Sequence, residues 1–234
     1  MMERPLYSIV ISFYNEESQA AFVIKRLLEY LTAKNVDFEL ILVNNGSQDG
    51  TEKTITAFAQ NDPRVRTTSL VDNTGFGGGM LTGLKLARGK YIGFTTAGGQ
   101  VLPEHLLKAF DTARQNPQAV VKAKRLSRES LFRELASYGY AVLANLLFFV
   151  GILDINGHPL VLAKEVFDSF AIQSKNFMIN LEILTKAKKR RLNIITVPIP
   201  YSQRAGGRSH VRLSTAWLFF KQLIELRKNS LFTK

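Results

Sequence analysis

The chain has 234 residues, of which 46% are hydrophobic and 21% charged, values of a globular protein able to bury one good core. It has no cysteine, which excludes a disulfide framework and a thiolate metal site; its three histidines, His105, His158 and His210, lie far apart without metal-ligand spacing. The net charge of +12 is one-sided, because residues 1–120 carry 12 basic and 12 acidic side chains whereas residues 121–234 carry 19 and 7. A basic half points to an anionic partner, either membrane lipid, a lipid phosphate, pyrophosphate or nucleic acid, with a merely well-solvated surface as the alternative. The N-terminus, "MMERPLYSIV", lacks the apolar core of a signal peptide, which predicts a cytoplasmic location.

In chain order, "YSIVIS" (7–12) is a short β-rich run, and 17–34 carries Phe22, Val23, Leu27, Leu28 and Leu31 at helical spacing. "FELILVNN" (38–45) is a nearly all-apolar strand, expected to be buried on both faces. A helix at 49–62 and a strand at 65–73 follow. "GFGGGMLTGLKLARG" (75–89) reads as a glycine loop opening a helix, 90–96 as a fourth strand, and 103–116 as a helix with Pro103 in its first turn. This alternation predicts an α/β fold with a mostly parallel sheet and helices on both faces. Further on, 119–125 reads as a strand, 129–153 as a long apolar helix, 158–170 as a strand and a helix, and 176–192 as a helix. The strand at 193–201 contains Pro198 and Pro200, which favour a sheet edge. A C-terminal amphipathic helix at 214–232 closes the chain. No internal repeat or linker interrupts it, so residues 1–212 are expected to form one domain, with a nucleotide-binding half at 1–120 and an acceptor half at 121–212, and residues 213–234 a separate helix.

"SYGYAVLANLLFFVGIL" (137–153) has 17 residues without a charge. A transmembrane helix needs about 20 apolar residues, and this stretch holds Asn145 and two tyrosines, which favours a helix buried in the protein or lying in a membrane interface. The last helix sets Trp217, Phe219, Phe220, Leu223 and Ile224 beside Lys221, Arg227 and Lys228. A membrane surface, the protein's own core and a second copy in a homo-oligomer all suit such a stripe.

The first strand ends in "SFYNEE" (12–17) and the second in "VNNGSQDGT" (43–51), so in a parallel sheet both run out at one rim. "NTGFGGGMLTG" (73–83) enters a helix, and such loops let backbone N–H groups approach phosphate oxygens, although glycine loops often serve only a tight turn. It is neither a dinucleotide fingerprint nor a P-loop. "YIGFTTAGGQ" (91–100) is a strand running into a loop without a carboxylate, a histidine or a lysine. Taken in order with "ARGKYIGF", "QVLPE", "DINGHPLVLAKEVF", "LEILTKAKKRRLNIITVPIPY" and "RAGGRSHV", these motifs make almost the whole chain resemble a family 2 glycosyltransferase of the GT-A fold, nearest to the polyprenyl-phosphate, dolichyl-phosphate-mannose-synthase-like branch.

The resemblance implies roles. Tyr14 and Glu16 line the pocket for base and ribose of a nucleotide-diphosphate sugar. Asn44 and Asn45 occupy a position usually written Asp-Asp, and an amide both donates and accepts where a carboxylate only accepts. Gly75, Gly77 and Gly78 pass the nucleotide, with Phe76 where the family often has lysine. The loop after the fourth strand is usually Asp-x-Asp followed by Gln; Thr96 and Gly98 stand at the two Asp positions while Gln100 matches. An Asp pair holds Mg²⁺ or Mn²⁺ against the leaving diphosphate, and Thr96, Gly98 and Gln100 offer only neutral oxygens. No metal is therefore expected, or only a weakly held one, with basic side chains in its place. Candidates are Lys122, Lys124, Arg125, Arg133, Arg204 and Arg208, of which Arg125 and Arg204 match family arginines and join Gln100 as the catalytic set. Lys124, Arg133, Asp154, Glu182, Arg208 and Ser209 are expected on the acceptor and phosphate side; for Asp154 and Glu182 a loop cap or a helix-face salt bridge is the alternative. His158 and His210 are expected to be loop residues rather than catalysts.

The resulting expectation is an inverting transferase that moves a sugar from a nucleotide-diphosphate sugar to a polyprenyl phosphate, peripheral to the inner face of the membrane. A phosphate acceptor, already ionised, needs little help from a base. The rivals are a saccharide-hydroxyl acceptor and a non-catalytic nucleotide- or glycan-binding homologue, the latter suggested by Asn44, Asn45, Thr96, Gly98 and Asn180 at positions usually held by Asp. No nucleic-acid-binding motif accompanies the basic half.

Overall fold

In the computed structural model, which describes residues 4–127, 131–200 and 215–232, seven strands form one sheet. In chain order the elements are β1 (Tyr7–Phe13), α1 (Glu17–Ala33), β2 (Phe38–Asn45), α2 (Thr51–Asn61), β3 (Val65–Leu70), α3 (Gly75–Leu86), β4 (Tyr91–Thr96), α4 (Pro103–Gln115), β5 (Ala119–Arg125), α5 (Leu131–Phe148), β6 (Leu160–Ala163), α6 (Lys164–Phe170), α7 (Ile179–Lys189), β7 (Asn193–Ile199) and α8 (Thr215–Phe232). The strand order is β3-β2-β1-β4-β6-β5-β7. All neighbours are parallel except β6, which runs antiparallel to both β4 and β5. The sheet is thus mostly parallel, as expected, and mixed only through β6; β7 sits at an edge, where the exposed Pro198 removes no ladder donor that a second neighbour would need.

The period of two along each strand divides the core. Ile9 and Ile11 of β1 and Leu40 and Leu42 of β2 face Ile24 of α1, Ile55 of α2 and Phe110 of α4. Val10, Ile41 and Val43 face the other way, toward Leu84 of α3, Leu184 of α7 and Ala144 of α5. All eight residues of β2 are buried, as its apolar run predicts. One of them is Glu39, a carboxylate that sequence reading passed over. It accepts hydrogen bonds from Ser8 Oγ (2.6 Å) and Arg88 N–H (2.7 Å) and pairs with Arg66 (2.9 Å), which satisfies its charge at the amino end of the sheet.

Two expectations change. The glycine stretch is not a loop leading into a helix; Gly75 already begins α3. The reason is packing. A Cβ on Gly83 would lie 2.3 Å from Val10 Cγ1, and one on Gly79 would lie 2.1 Å from Ser12 Oγ, so these glycines let α3 sit directly on β1 and β2. The long apolar helix ends at Phe148 rather than 153, because the Asn145 side chain takes over its carboxyl end: Asn145 Oδ1 accepts the N–H of Gly151 (2.7 Å) and Ile152 (3.2 Å). α8 lies against α5, with Phe219 edge-on to Tyr140 at 5.4 Å and Leu223 buried, so part of the C-terminal stripe is core. Trp217 and Phe220 fall on side chains outside the described residues.

The approach of α3 gives a direct test. Gly83→Ala overpacks the contact with Val10 and Val43 and is expected to lower stability by about 1–3 kcal/mol, read as a shifted midpoint in urea denaturation with an unchanged slope.

Candidate active site

The register collects the chemistry on one rim. Phe13 pairs with Asn44, Ser12 with Thr96, and Leu160 with both Phe94 and Lys122. The carboxyl ends of β1, β2, β4 and β5 and the segment entering the antiparallel β6 therefore open on the same side, the usual ligand side of an open α/β sheet. Tyr14, Glu16, Asn44, Asn45, Thr96, Gly98, Gln100, Lys124, Arg125 and Asp154 belong to these ends. Arg204, Arg208 and Ser209 lie outside the described residues, as does the side chain of Arg133 at the start of α5.

On the β1–β2 side the two loops are laced together. Asn15, at φ 52°, donates its N–H to Ser47 Oγ (3.1 Å), and its Oδ1 accepts Gln48 N–H (2.8 Å). Glu16 donates its N–H to Thr51 Oγ1 (2.9 Å), and its buried carboxylate accepts a hydrogen bond from Gln19 Nε2. Asn44 Oδ1 accepts Ser47 N–H (3.0 Å). Asn45 uses both ends of its amide. Its Nδ2 donates to Gly75 O (3.0 Å) and Asn73 Oδ1 (3.2 Å), while its Oδ1 accepts from Thr74 N–H (3.1 Å) and Thr74 Oγ1 (3.0 Å). It thereby fixes the entry to α3, a task open to an amide and closed to a carboxylate.

The glycines expected to pass a nucleotide meet a protein segment instead. Gly78 donates its N–H to Lys175 O (2.7 Å), and a Cβ on Gly77 would lie 2.4 Å from Asn176 O. Segment 173–176 is itself held by Glu182, whose carboxylate accepts the N–H of Gln173 (3.1 Å) and Ser174 (2.8 Å) and pairs with Lys186 (2.8 Å). Burial would raise the Glu182 carboxyl, but the bonds from Lys186 and Ser174 win and hold it below its ordinary value. Of the two readings of Glu182, the loop cap and helix-face salt bridge is the one observed.

The loop after β4 is anchored by Arg26 of α1, which sequence reading missed inside an apolar helical stripe. Its Nη2 donates to Gly99 O (2.7 Å), and Gly99 takes φ +68°, a conformation suited to glycine. The side-chain oxygens available in this loop belong to Thr95, Thr96 and Gln100, all neutral, and among the described residues no three His, Cys, Asp or Glu side chains gather. That donor set does not fit Mg²⁺ or Mn²⁺, which are held by anionic oxygens.

Across the rim the charge is reversed. Arg125 is half-buried and pairs with Asp154 through two of its nitrogens, Nη2 to Oδ1 (2.7 Å) and Nε to Oδ2 (3.1 Å), while its N–H also donates to Oδ2 (2.8 Å). Burial pushes Asp154 up, but these bonds and the positive charges of Arg125 and Lys122 outweigh it and hold its carboxyl well below the usual range. Lys122, expected among the phosphate clamps, is fully buried; its ammonium donates to Ala123 O (2.7 Å) and to Asp154 O. It braces segment 154–159 rather than facing solvent. Lys124 next to it is exposed. His158 sits between Phe76 (5.4 Å) and Phe94 (5.5 Å), and Phe76 stacks on Phe177 (5.6 Å). The ring that stands where a lysine was expected is thus the centre of an aromatic cluster. Burial first, then Arg125 and Lys122, pushes His158 down to about 3, so the imidazole is neutral at ordinary pH.

Two predictions follow from these bonds. Asn45→Asp is expected to destabilise by about 1–3 kcal/mol and by more than Asn44→Asp, whose accepting oxygen a carboxylate reproduces; urea denaturation of both variants checks this. His158 is protonated in the unfolded chain below a pKa of about 6.5 but not in the folded one until about 3. Its contribution to stability is therefore complete above pH ~6.5 and is lost as pH falls toward 3, so Tm is expected to fall between pH 7 and 5, and His158→Phe to flatten that fall.

Comparison with known proteins agrees with this geometry. The family model described as Glycosyl transferase family 2 matches residues 8–168. The dolichyl-phosphate beta-glucosyltransferase of Dictyostelium discoideum is 24% identical over 223 residues, covering 86% of this chain and 68% of the relative. That of Homo sapiens is 26% identical over 222 residues with the same coverage, 86% and 68%. Among solved structures, glucosyl-3-phosphoglycerate synthase from Mycobacterium tuberculosis in complex with Mn²⁺, UDP and glucosyl-3-phosphoglycerate superposes with a TM-score of 0.69 at 20% identity, covering 94% of this chain and 77% of that one. A mannosyltransferase from Pyrobaculum calidifontis in complex with GDP-Man and Mn²⁺ gives 0.67 at 16% identity, covering 100% and 66%. The match spans the sheet from β1 to β6 and leaves out β7, and the chain is a member of glycosyltransferase family 2.

Proposed function

We propose that this glycosyltransferase moves a sugar from a nucleotide-diphosphate sugar to a polyprenyl phosphate at the cytoplasmic face of a membrane, with cationic side chains in place of a tightly held metal. The observation that carries the reading is the division of charge at the rim: neutral oxygens after β4, and Lys124 with the Asp154-oriented Arg125 after β5. The dolichyl-phosphate relatives support a lipid-phosphate acceptor, and the neighbours solved with UDP or GDP-Man support the donor class.

In this reading Tyr14, Glu16 and the Asn44 turn flank the nucleoside, and Thr96, Gly98 and Gln100 approach the sugar diphosphate. A phosphate oxygen of the acceptor forms the new bond to the anomeric carbon as the bond from that carbon to the β-phosphate oxygen breaks. The acceptor is already ionised, so no proton has to be removed. Charge grows on the departing diphosphate, and Arg125, Lys124 and the arginines of segment 201–214 meet it. Asp154 acts as a positioning residue, fixing the plane of the Arg125 guanidinium.

Calorimetric titration with UDP and GDP, each in EDTA and in Mn²⁺, tests the reading. Micromolar binding of one of them in EDTA, with sugar transfer to a polyprenyl phosphate persisting there, is the expected result, and Lys124→Ala is expected to weaken it about tenfold. Binding or turnover only with Mn²⁺ refutes the cationic substitution. Absence of nucleotide binding under both conditions refutes the catalytic reading.

A further inference from the structure

Along the outer flank of α3 the described residues enclose a cavity of about 270 Å³ that the transfer step proposed above does not use. Leu70 at the end of β3 and Lys175 of the segment before α7 form two of its walls, and Thr74, Gly78, Leu81, Thr82 and Lys85 form the third. Steps of three and four residues set these last five on one face of α3. Since β3 and β4 both run parallel with the strands between them, α3 runs back toward the amino end of the sheet, and the cavity extends away from the rim. Glycine keeps it open: a Cβ on Gly78 would lie 2.3 Å from Thr74 Oγ1 and 3.6 Å from Lys175 Cβ, two lining side chains.

The lining divides by chemistry. Leu70 and Leu81 supply an apolar floor. Thr82 Oγ1 donates to Gly78 O (2.9 Å) and Thr74 Oγ1 to Asn45 Oδ1 (3.0 Å), so both hydroxyl protons are committed and each oxygen is left with lone pairs to offer. Lys85 and Lys175 are exposed, and neither ammonium makes a hydrogen bond or ion pair within the described residues. The lining contains no acid. Of the acids on adjoining segments, Glu182 pairs with Lys186, Glu39 with Arg66 and Arg88, and Glu52 accepts from Ser69 Oγ (2.5 Å). Asp72 is exposed, with its backbone against Gly46 in the turn after β2. Even with its charge counted, the two ammonium groups leave the cavity positive, and a positive concave site gathers an anion.

We propose that this cavity is a second ligand site, separate from the rim, and that it takes a small sugar phosphate. The phosphate lies between Lys85 and Lys175, sugar hydroxyls donate to the oxygens of Thr74 and Thr82, and the C–H face of the sugar covers Leu70 and Leu81. The volume falls below the ~300–1,000 Å³ of sites for drug-sized ligands, so a whole nucleotide sugar does not fit. A ligand held this way ties α3 to segment 173–176 across the Gly78–Lys175 backbone bond, and its binding therefore stiffens the contact between the first and second halves of the chain. The proposal does not depend on the donor or the acceptor assigned above.

The test is calorimetric titration of the full chain with glucose 6-phosphate, and with inorganic phosphate and glucose separately. Wild type is expected to bind glucose 6-phosphate with a dissociation constant of about 1 mM or tighter, and each of the two fragments about tenfold more weakly. Lys85→Ala and Lys175→Ala are each expected to weaken that binding about tenfold, and Thr82→Val about threefold. Both lysines are exposed, so the Tm of these two variants without ligand is expected to match wild type, which separates a lost site from a lost fold. Absence of binding in wild type overturns the proposal, as does binding that ignores both lysine substitutions, including binding that instead falls in Lys124→Ala and so belongs to the rim. Inorganic phosphate bound as tightly as glucose 6-phosphate overturns the sugar. Binding of UDP or GDP by the two lysine variants is expected to equal that of wild type; a parallel loss overturns the separateness of the site.

Discussion

The site depends on how closely α3 approaches its neighbours. Side chains at 79 and 83 would hold the helix off β1 and β2, and side chains at 75 and 77 would collide with the carbonyls of segment 174–176. Glycine at these places turns the helix into a slab pressed between the sheet and that segment. The contact is sealed by the Gly78–Lys175 backbone bond and by the Asn45 amide at the helix entry. Through Glu182 the same contact reaches α7, so the first and second halves of the chain share one continuous set of bonds. A glycine-rich run that looks like an invitation to phosphate is, in this fold, first a condition for packing.

The exchange of charge across the rim is coherent. A carboxylate at position 45 could not donate to Gly75 O, and a carboxylate pair after β4 would call for a cation beside Arg125 and Lys122. Asp154, the acid beside Arg125, is paired with it and kept ionised by it. Charges buried this far are tolerable only when paired and hydrogen-bonded. Lys122 meets that condition with two carbonyls and the field of Asp154, while burial and then the charges of Arg125 and Lys122, against the opposing pull of Asp154, keep His158 neutral between its aromatic neighbours. The positive charge of the second half is therefore of two kinds: part of it braces the 154–159 segment from inside, and part, as at Lys124, remains at the surface.

Much of the sheet was legible because burial on both faces leaves a plain mark. The runs 38–45 and 119–125 coincide with β2 and β5, and two prolines were enough to set β7 at an edge. The antiparallel β6 was not legible, since four apolar residues carry no information about direction. Nor were Arg26 and Glu39, because a charge inside an apolar pattern reads as surface until its partners, distant in sequence, are known. Lys122 failed in the opposite direction. It was a candidate for meeting the leaving pyrophosphate together with Lys124 and Arg125, while the strand turned it inward. At the site, residue types were readable and their duties were not. Asn45 was marked by its departure from Asp, yet only the fold shows that both halves of the amide are in use.

α5 shows the same limit from another side. Its inward residues include Ala141 and Ala144, fully buried, while Leu135, Leu146 and the following Phe149 point outward. The inner face also holds the buried Phe148 and the partly buried Tyr140 and Leu147, so α5 is apolar on both faces, unlike the usual soluble surface helix, in which polar residues cover the outer face. Hydropathy along the sequence does not tell the two faces apart, because both are apolar. α5 meets α8 through its large inner residues, Tyr140 edge-on to Phe219 and Phe148 beneath the Arg227 guanidinium. What ends the helix inside this uncharged run is therefore a polar side chain: Asn145 takes the N–H groups of Gly151 and Ile152, and the backbone turns at Phe149, φ 55°.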